Sequence, residues 1–132
     1  MRIDDELLAR LTEQARVNPR RRMHFDLRDS AEDTSMRMLN AIEPESVVPV
    51  HRHMMTSEDI ICIKGEMDVA LYDDDGVLTE KVKLIPGSSC QAVHIPAGVY
   101  HASESRMSGS VILEFKNTKY DPDTCEEMLV KA

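Results

Sequence analysis

The feature that most constrains this chain is a pair of histidines two positions apart, His51 and His53, followed closely by Glu58. Successive side chains in a β-strand point to opposite faces, so the two imidazoles of a strand here share one face. A neighbouring strand that begins near Glu58 would bring its carboxylate beside them. The stretch therefore predicts a polar site built across two strands.

A third imidazole lies further along the chain, directly after a turn. It belongs to His101, the last residue of the segment IPAGVYH. Histidine pairs on strands are common without any ligand, but three imidazoles and one carboxylate are a ligand set for a divalent metal ion. We therefore expect one metal ion on His51, His53, Glu58 and His101. The mixed nitrogen and oxygen ligands do not choose among Zn, Fe, Mn and Ni.

Short runs of alternating apolar residues, separated by Gly and Pro turns, extend from about residue 35 to residue 117. They predict strands over residues 36–42, 47–53, 59–64, 67–72, 77–84 and 92–95, then one that carries His101 and Ser103, and a last one over 111–116. Many short strands with such turns are typical of an all-β sandwich or barrel.

The two ends of the chain follow different patterns. Apolar residues at helical spacing predict an amphipathic helix over residues 4–17 that covers the sheet. The polar stretch 20–34 predicts an irregular loop. Asp121, followed by proline, predicts the start of a short C-terminal helix containing Met128 and Leu129.

The length of 132 residues corresponds to about one domain. We expect one domain over residues 1–132, with the helix and loop in 1–34, the β-barrel in 35–117 and a tail or short helix in 118–132.

Charge and composition exclude several classes of partner. A net charge of −8 argues against a nucleic acid or an anionic membrane surface as the main partner, because those partners require clustered positive charge. The one basic run, Arg20-Arg21-Arg22, favours a solvated loop or an anion contact over a DNA-binding arm. Three scattered cysteines indicate reduced thiols. Because the N-terminus has no apolar region and no apolar run approaches ~20 residues, we expect a cytoplasmic protein.

The first histidine segment resembles the first cupin motif, G-x5-H-x-H-x3/4-E-x6-G. The correspondence runs from Glu45 through His51, His53 and Glu58 to Gly65, with Glu45 in place of the first glycine.

The second segment resembles the second cupin motif, G-x5-P-x-G-x2-H-x3-N. It runs from Cys90 through Pro96, Gly98 and His101 to Ser105, with Cys90 in place of glycine and Ser105 in place of asparagine. All four ligand positions of the two motifs are intact. The resemblance implies a double-stranded β-helix, or jelly-roll barrel, that holds one metal ion and has the N-terminal helix packed outside.

Segments flanking the motifs are similar to the WbuC family of cupin-fold metalloproteins. They are the N-terminal helix, MRMLNAI at 36–42, VHRH at 50–53, YDDDG at 72–76 and KYDP at 119–122. That family is associated with polysaccharide gene clusters of the O-antigen type, so the resemblance implies a carbohydrate-related setting without naming a substrate.

Three further residues are candidates for contact with a substrate. For His94 the alternatives are a hydrogen-bonded, partly buried histidine and a contact near the metal. His24 is either a surface residue or a residue that closes over the mouth of the barrel. Cys62 shares the strand parity of Glu58 and is either a small core residue or one that faces the site.

Two functions stay open at this point. One is a metalloenzyme of isomerase, lyase or dioxygenase type that acts on a small oxygen-rich metabolite. The other is a non-catalytic, metal-dependent module that binds a sugar or organic acid. A general acid or base near the metal would discriminate between them, and no motif marks one. We also expect a homodimer, because small barrels have open sheet edges that must be covered or paired. The apolar face of the helix over residues 4–17 and the segment 35–42 are suitable covers for such an edge.

Overall fold

Two antiparallel five-stranded sheets make up most of the computed structural model, which describes residues 1–118 and 121–128. The elements in chain order are α1 (Asp5–Val17), β1 (Arg22–Asp26), β2 (Met36–Ile42), β3 (His51–His53), β4 (Glu58–Lys64), β5 (Met67–Tyr72), β6 (Leu78–Leu84), β7 (Ala92–Ile95), β8 (Tyr100–Ser105), β9 (Val111–Lys116), a 3-10 helix (Pro122–Thr124) and β10 (Cys125–Glu127). One sheet has the order β1-β2-β9-β4-β7 and the other β10-β3-β8-β5-β6. The expected all-β jelly roll is confirmed.

The main hydrophobic core lies between the two sheets. It forms because alternate residues of each strand turn inward, as the period of two in the sequence requires. Its buried members are Ile42, Ile60, Cys62, Met67, Val69, Leu84, Ile95 and Ile112.

The N-terminal helix packs against the outside of the first sheet, as predicted. Asp4 caps it by accepting a hydrogen bond from the backbone N–H of Leu7 at 3.1 Å. Its apolar face and the outer face of β2 and β9 form a second core, whose buried members are Leu7, Leu8, Leu11, Ala15, Leu39, Ala41 and Val111. Since this face of the sheet is covered, the opposite face of β2 and β9 is left to line the interior.

Three segments differ from the sequence-based expectation. Strand β1 occupies part of the stretch expected as an irregular loop, and it pairs along its length with β2. Its alternation of apolar Met23 and Phe25 with polar neighbours fits an edge strand with one face on the helix. Strand β3 is shorter than expected, since residues 47–50 lie outside any strand.

The third difference lies near the C-terminus, where a helix was expected. A 3-10 turn is followed by β10, which pairs with β3 through Cys125↔His53 and Glu127↔His51. The chain is extended here and not helical, because the free edge of β3 offers hydrogen-bond partners. Leu129 lies outside the described residues, as does part of the KYDP segment at 119–122.

Within the described residues, no helix is long and apolar enough to cross a membrane.

Candidate metal centre

Strand pairing brings the four motif residues to one end of the barrel. His51 and His53 lie on β3, and His51 is paired directly with His101 on β8. Glu58 opens β4 in the opposite sheet. The site therefore spans the two sheets.

The four side chains converge closely. One ligand atom from each of His51, His53, Glu58 and His101 lies within 4.8 Å of all the others. His53, Glu58 and His101 are buried, and His51 is half-buried at the edge of the cavity. The quartet thus has one side open to a ligand.

Backbone carbonyls orient two of the three imidazoles. Nδ1 of His51 lies 2.8 Å from the carbonyl oxygen of Pro49, and Nδ1 of His101 lies 2.9 Å from that of Val99. A carbonyl can only accept, so Nδ1 donates in both residues. The Nε2 lone pairs of the two rings are then free to face the centre of the site, which is the arrangement found around metal-bound histidines.

The hydrogen bonding of the quartet is incomplete without a cation. Nε2 of His53 is buried and has no hydrogen-bond partner, although Glu58 Oε2 is 3.4 Å away. Nε2 of His101 lies 3.0 Å from the same oxygen. Because Nδ1 of His101 already carries the ring proton of a neutral imidazole, this contact needs a second proton or a metal ion. The donor set therefore fits a divalent metal.

The electrostatics of the site favour the forms that bind metals. Burial, together with the neighbouring His101, lowers the pKa of His51 to about 4. Burial alone would raise the pKa of Glu58, but its contacts with His101 and His53 and the charge of Lys116, 3.7 Å from Oε1, lower that pKa well below its usual value. At neutral pH, His51 is therefore neutral and Glu58 ionised.

A second acid, Glu114 on β9, lies behind Glu58. Burial and the negative charge of Glu58 raise the pKa of Glu114 to about 8. Sequence reasoning did not mark this residue, although a signal was present. Glu114 shares its strand parity with Ile112, a core residue, so its carboxyl group faces the interior.

The open side of the quartet leads into a cavity of ≈ 550 Å³. His51, His53 and Glu114 form part of its wall, as does His24 from β1. A volume of this size fits a small ligand.

The structure separates the other predicted contact residues. His24 lines the cavity and is exposed, and its closure over the barrel mouth stays a prediction. His94 lies on the outer surface, where Nδ1 is 2.7 Å from Asp59 Oδ1. Cys62 is fully buried in the main core, and burial raises the pKa of its thiol to about 11. His94 and Cys62 are thus placed away from the quartet.

Several solved structures share this fold. One is the capsular polysaccharide assembling protein CapF from Staphylococcus aureus, with a TM-score of 0.64 and 17% identity over 80% of this chain. Another is KdgF from Halomonas sp., with a TM-score of 0.63 and 18% identity over 80% of this chain and 86% of KdgF. Oxalate oxidase in complex with the substrate analogue glycolate has a TM-score of 0.62 and 20% identity over 77% of this chain and 53% of the oxidase. The chain spans only 29% of CapF.

The likeness to these structures shows the fold, and the quartet of side chains could hold a metal ion. The chain belongs to the family described as "Domain of unknown function (DUF6016)", which matches residues 3–84. That match includes His51, His53 and Glu58 and ends before His101. No curated protein matches the chain.

Proposed function

We propose that this protein binds one divalent metal ion through His51, His53, Glu58 and His101 and is a metalloenzyme acting on a small oxygen-rich metabolite. The observation that carries the proposal is the convergence of three imidazoles and a carboxylate, with a buried and unpartnered Nε2 on His53. A burial of this kind is costly unless a cation completes it.

A bound metal at this site would supply Lewis-acid or redox chemistry to a substrate oxygen, in an isomerase, lyase or dioxygenase reaction. The protein's own contribution is to orient two imidazoles through the carbonyls of Pro49 and Val99 and to keep most of the quartet away from bulk water.

Glu114 favours an enzyme over a binding module. It places a carboxyl group in the wall of the same cavity as the metal site, where a reacting proton could be exchanged. No sequence motif marks an acid or base there. The non-catalytic sugar- or acid-binding module is the alternative, and it requires that Glu114 serve only to position Glu58.

We further propose that the chain is a single-domain, WbuC-like cupin in a polysaccharide-related pathway. The flanking segments support this assignment, as does the fold likeness to CapF, a capsular polysaccharide assembling protein. That likeness spans 29% of CapF, so the activity of the whole CapF protein is not carried over.

The test is metal analysis of protein purified without chelator. We expect about one equivalent of a divalent metal per chain in the wild type. His53→Ala should lose most of it, whereas the matched variant His94→Ala should keep it, because His94 lies outside the site. Full metal occupancy in His53→Ala would contradict the proposal. A screen of oxygen-rich metabolites against the loaded protein would then identify the substrate.

A further inference from the structure

Two arginines in the cavity wall have no opposing charge. Arg20 and Arg22 line the same cavity as His51 and His53. Arg22 donates from Nη1 to Ser46 Oγ and to the carbonyl oxygen of Val47, both at 3.2 Å and both uncharged. In residues 1–118 and 121–128, the guanidinium of Arg20 forms no hydrogen bond or ion pair.

The remaining cations of the cavity wall are neutralised. Arg28 lies 2.9 Å from a carboxylate oxygen of Asp26, and Lys116 lies 3.7 Å from Glu58. Glu127 is a carboxylate of the wall that has no ion pair within the part of the chain described. Within the described residues, Arg20 and Arg22 are therefore the arginines of the wall that no ion pair neutralises.

The backbone separates Arg20 and Arg22 from Arg21, the residue between them. Arg21 has a φ of 59°, a left-handed conformation that non-glycine residues rarely adopt. Its side chain donates to the carbonyl of Arg16 and approaches Glu45 at 3.5 Å. Arg20 and Arg22 thus remain together at the cavity, where burial and the charge of Arg20 lower the pKa of Arg22. Two like charges held together repel each other, weakly where one is exposed to water as Arg20 is, and an anion between them would remove the repulsion.

One acceptor in the same wall also lacks a partner. Oδ1 of Asn40 is buried and has no hydrogen-bond partner, and Asn40 lines the cavity beside Glu114. The hydroxyl group of a ligand could donate a hydrogen bond to an unpaired carbonyl oxygen in such a place.

We propose that the cavity takes a small hydroxylated anion whose carboxylate or phosphate group is bound by Arg20 and Arg22. One hydroxyl of the ligand donates to Oδ1 of Asn40, and another oxygen reaches the metal centre. Guanidinium groups suit this role because they bind carboxylate and phosphate through paired hydrogen bonds. The inference rests on the proposed function, since it assigns a substrate class to that site.

The experiment is calorimetric titration of zinc-loaded protein with three sugar probes of similar size. D-glucuronate carries a carboxylate, D-glucose 1-phosphate carries a phosphate, and D-glucose is neutral. We expect at least one of the two anions to bind about tenfold or more tightly than glucose. The anion that binds identifies which acidic group the site takes. Equal binding of glucose, or no binding of either anion, would overturn the inference.

Variants that each remove one positive charge test whether Arg20 and Arg22 bind the anion. Arg20→Gln and Arg22→Gln should each lower the affinity for the anion about tenfold, while leaving the affinity for glucose unchanged. The matched control Arg10→Gln, on the exposed side of α1, should have no effect. Arg20→Gln decides the matter if Arg22→Gln fails to fold, because the side chain of Arg20 is exposed and has no hydrogen bond or ion pair in the described part of the chain. Unchanged anion binding in Arg20→Gln would overturn the inference.

Titration of His53→Ala and of metal-free protein separates this inference from the metal proposal. If anion binding survives in the arginine variants but not in His53→Ala, the metal centre stands and the inference fails. If the arginine variants lose the anion while metal-free protein binds it as tightly as the loaded form, the assignment of the anion to Arg20 and Arg22 stands, and the contact between the ligand and the metal centre is overturned.

Discussion

At the scale of the residue, the positions of the metal ligands could be predicted because strand parity is a strict rule. His51 and His53 share a face because they are two residues apart, and the turn before His101 returns the chain to pair beside them. Glu114 could have been included by the same rule. It was missed because a charged residue on a strand normally faces solvent, and only the structure shows β9 covered on both faces.

His94 and Cys62 show why single residues outside the motifs are harder to assign. Both lie on strands beside the site, and parity alone does not tell the core from the cavity or the outer surface. The structure places Cys62 deep among apolar side chains and pairs His94 with Asp59 outside. Those outcomes depend on how the two sheets stack, which no local pattern encodes.

The buried thiol of Cys62 gives a prediction on stability against pH. Its pKa is raised to about 11 from an ordinary value of 9.0 because burial disfavours the thiolate. Below pH 9 the thiol is protonated in both the folded and unfolded states, so its contribution is constant. Between about pH 9 and 11 only the unfolded state loses the proton, so the free energy of unfolding should fall as pH rises.

Urea unfolding at several pH values measures this effect. The decline between about pH 9 and 11 should be shallower in Cys62→Ala than in the wild type, whereas Cys90→Ala should keep the wild-type slope. Identical slopes in Cys62→Ala and the wild type would show that the thiol of Cys62 does not contribute.

At the scale of the element, the turn from β4 to β5 explains why the first motif ends in glycine. Gly65 has a φ of 81°, and a Cβ atom there would lie 2.3 Å from Ser110 Oγ and 2.6 Å from Ser110 Cα. Ser110 itself is fixed by hydrogen bonds to the backbone of Glu66. The position therefore requires glycine both for conformation and for space.

A matched pair of substitutions separates the two requirements. Gly87 has a φ of 76°, and a Cβ atom added there would have no other atom within 4 Å, so Gly87→Ala should cost about 1–2 kcal/mol from backbone conformation alone. Gly65→Ala adds the clash with Ser110 and should cost a further ~1–3 kcal/mol. Thermal or urea unfolding of both variants measures the difference, and equal losses would disprove a steric role for Ser110.

Element boundaries were predicted well where apolar alternation was strong, as in β4, β5 and β9. The edge strands β1 and β10 were missed because an edge strand carries polar residues and is defined by its partner more than by its own sequence. β10 exists because β3 has a free edge, a fact of topology that follows only from the strand order.

At the scale of the whole molecule, the structure changes the basis for the expected homodimer. The apolar face of α1 was a candidate cover for a sheet edge between protomers, but it packs on the outer face of its own sheet. The edge strands β6 and β7 remain available, and Leu78 at the start of β6 is 50% exposed.

We expect a homodimer that pairs these edges. Light scattering at tens of micromolar should then give about twice the chain mass of 14.9 kDa. A mass near 14.9 kDa at that concentration would contradict this prediction without affecting the metal centre.

The proposed function depends on one metal ion that joins the two sheets at the quartet. Anomalous X-ray diffraction from crystals of zinc-loaded protein, recorded on both sides of the zinc absorption edge, tests this most directly. We predict one strong peak, with Nε2 of His51, His53 and His101 and a carboxylate oxygen of Glu58 at ~2.0–2.2 Å. A peak at any other group of side chains, or none at the quartet in crystals that contain zinc, would contradict the proposed metal centre.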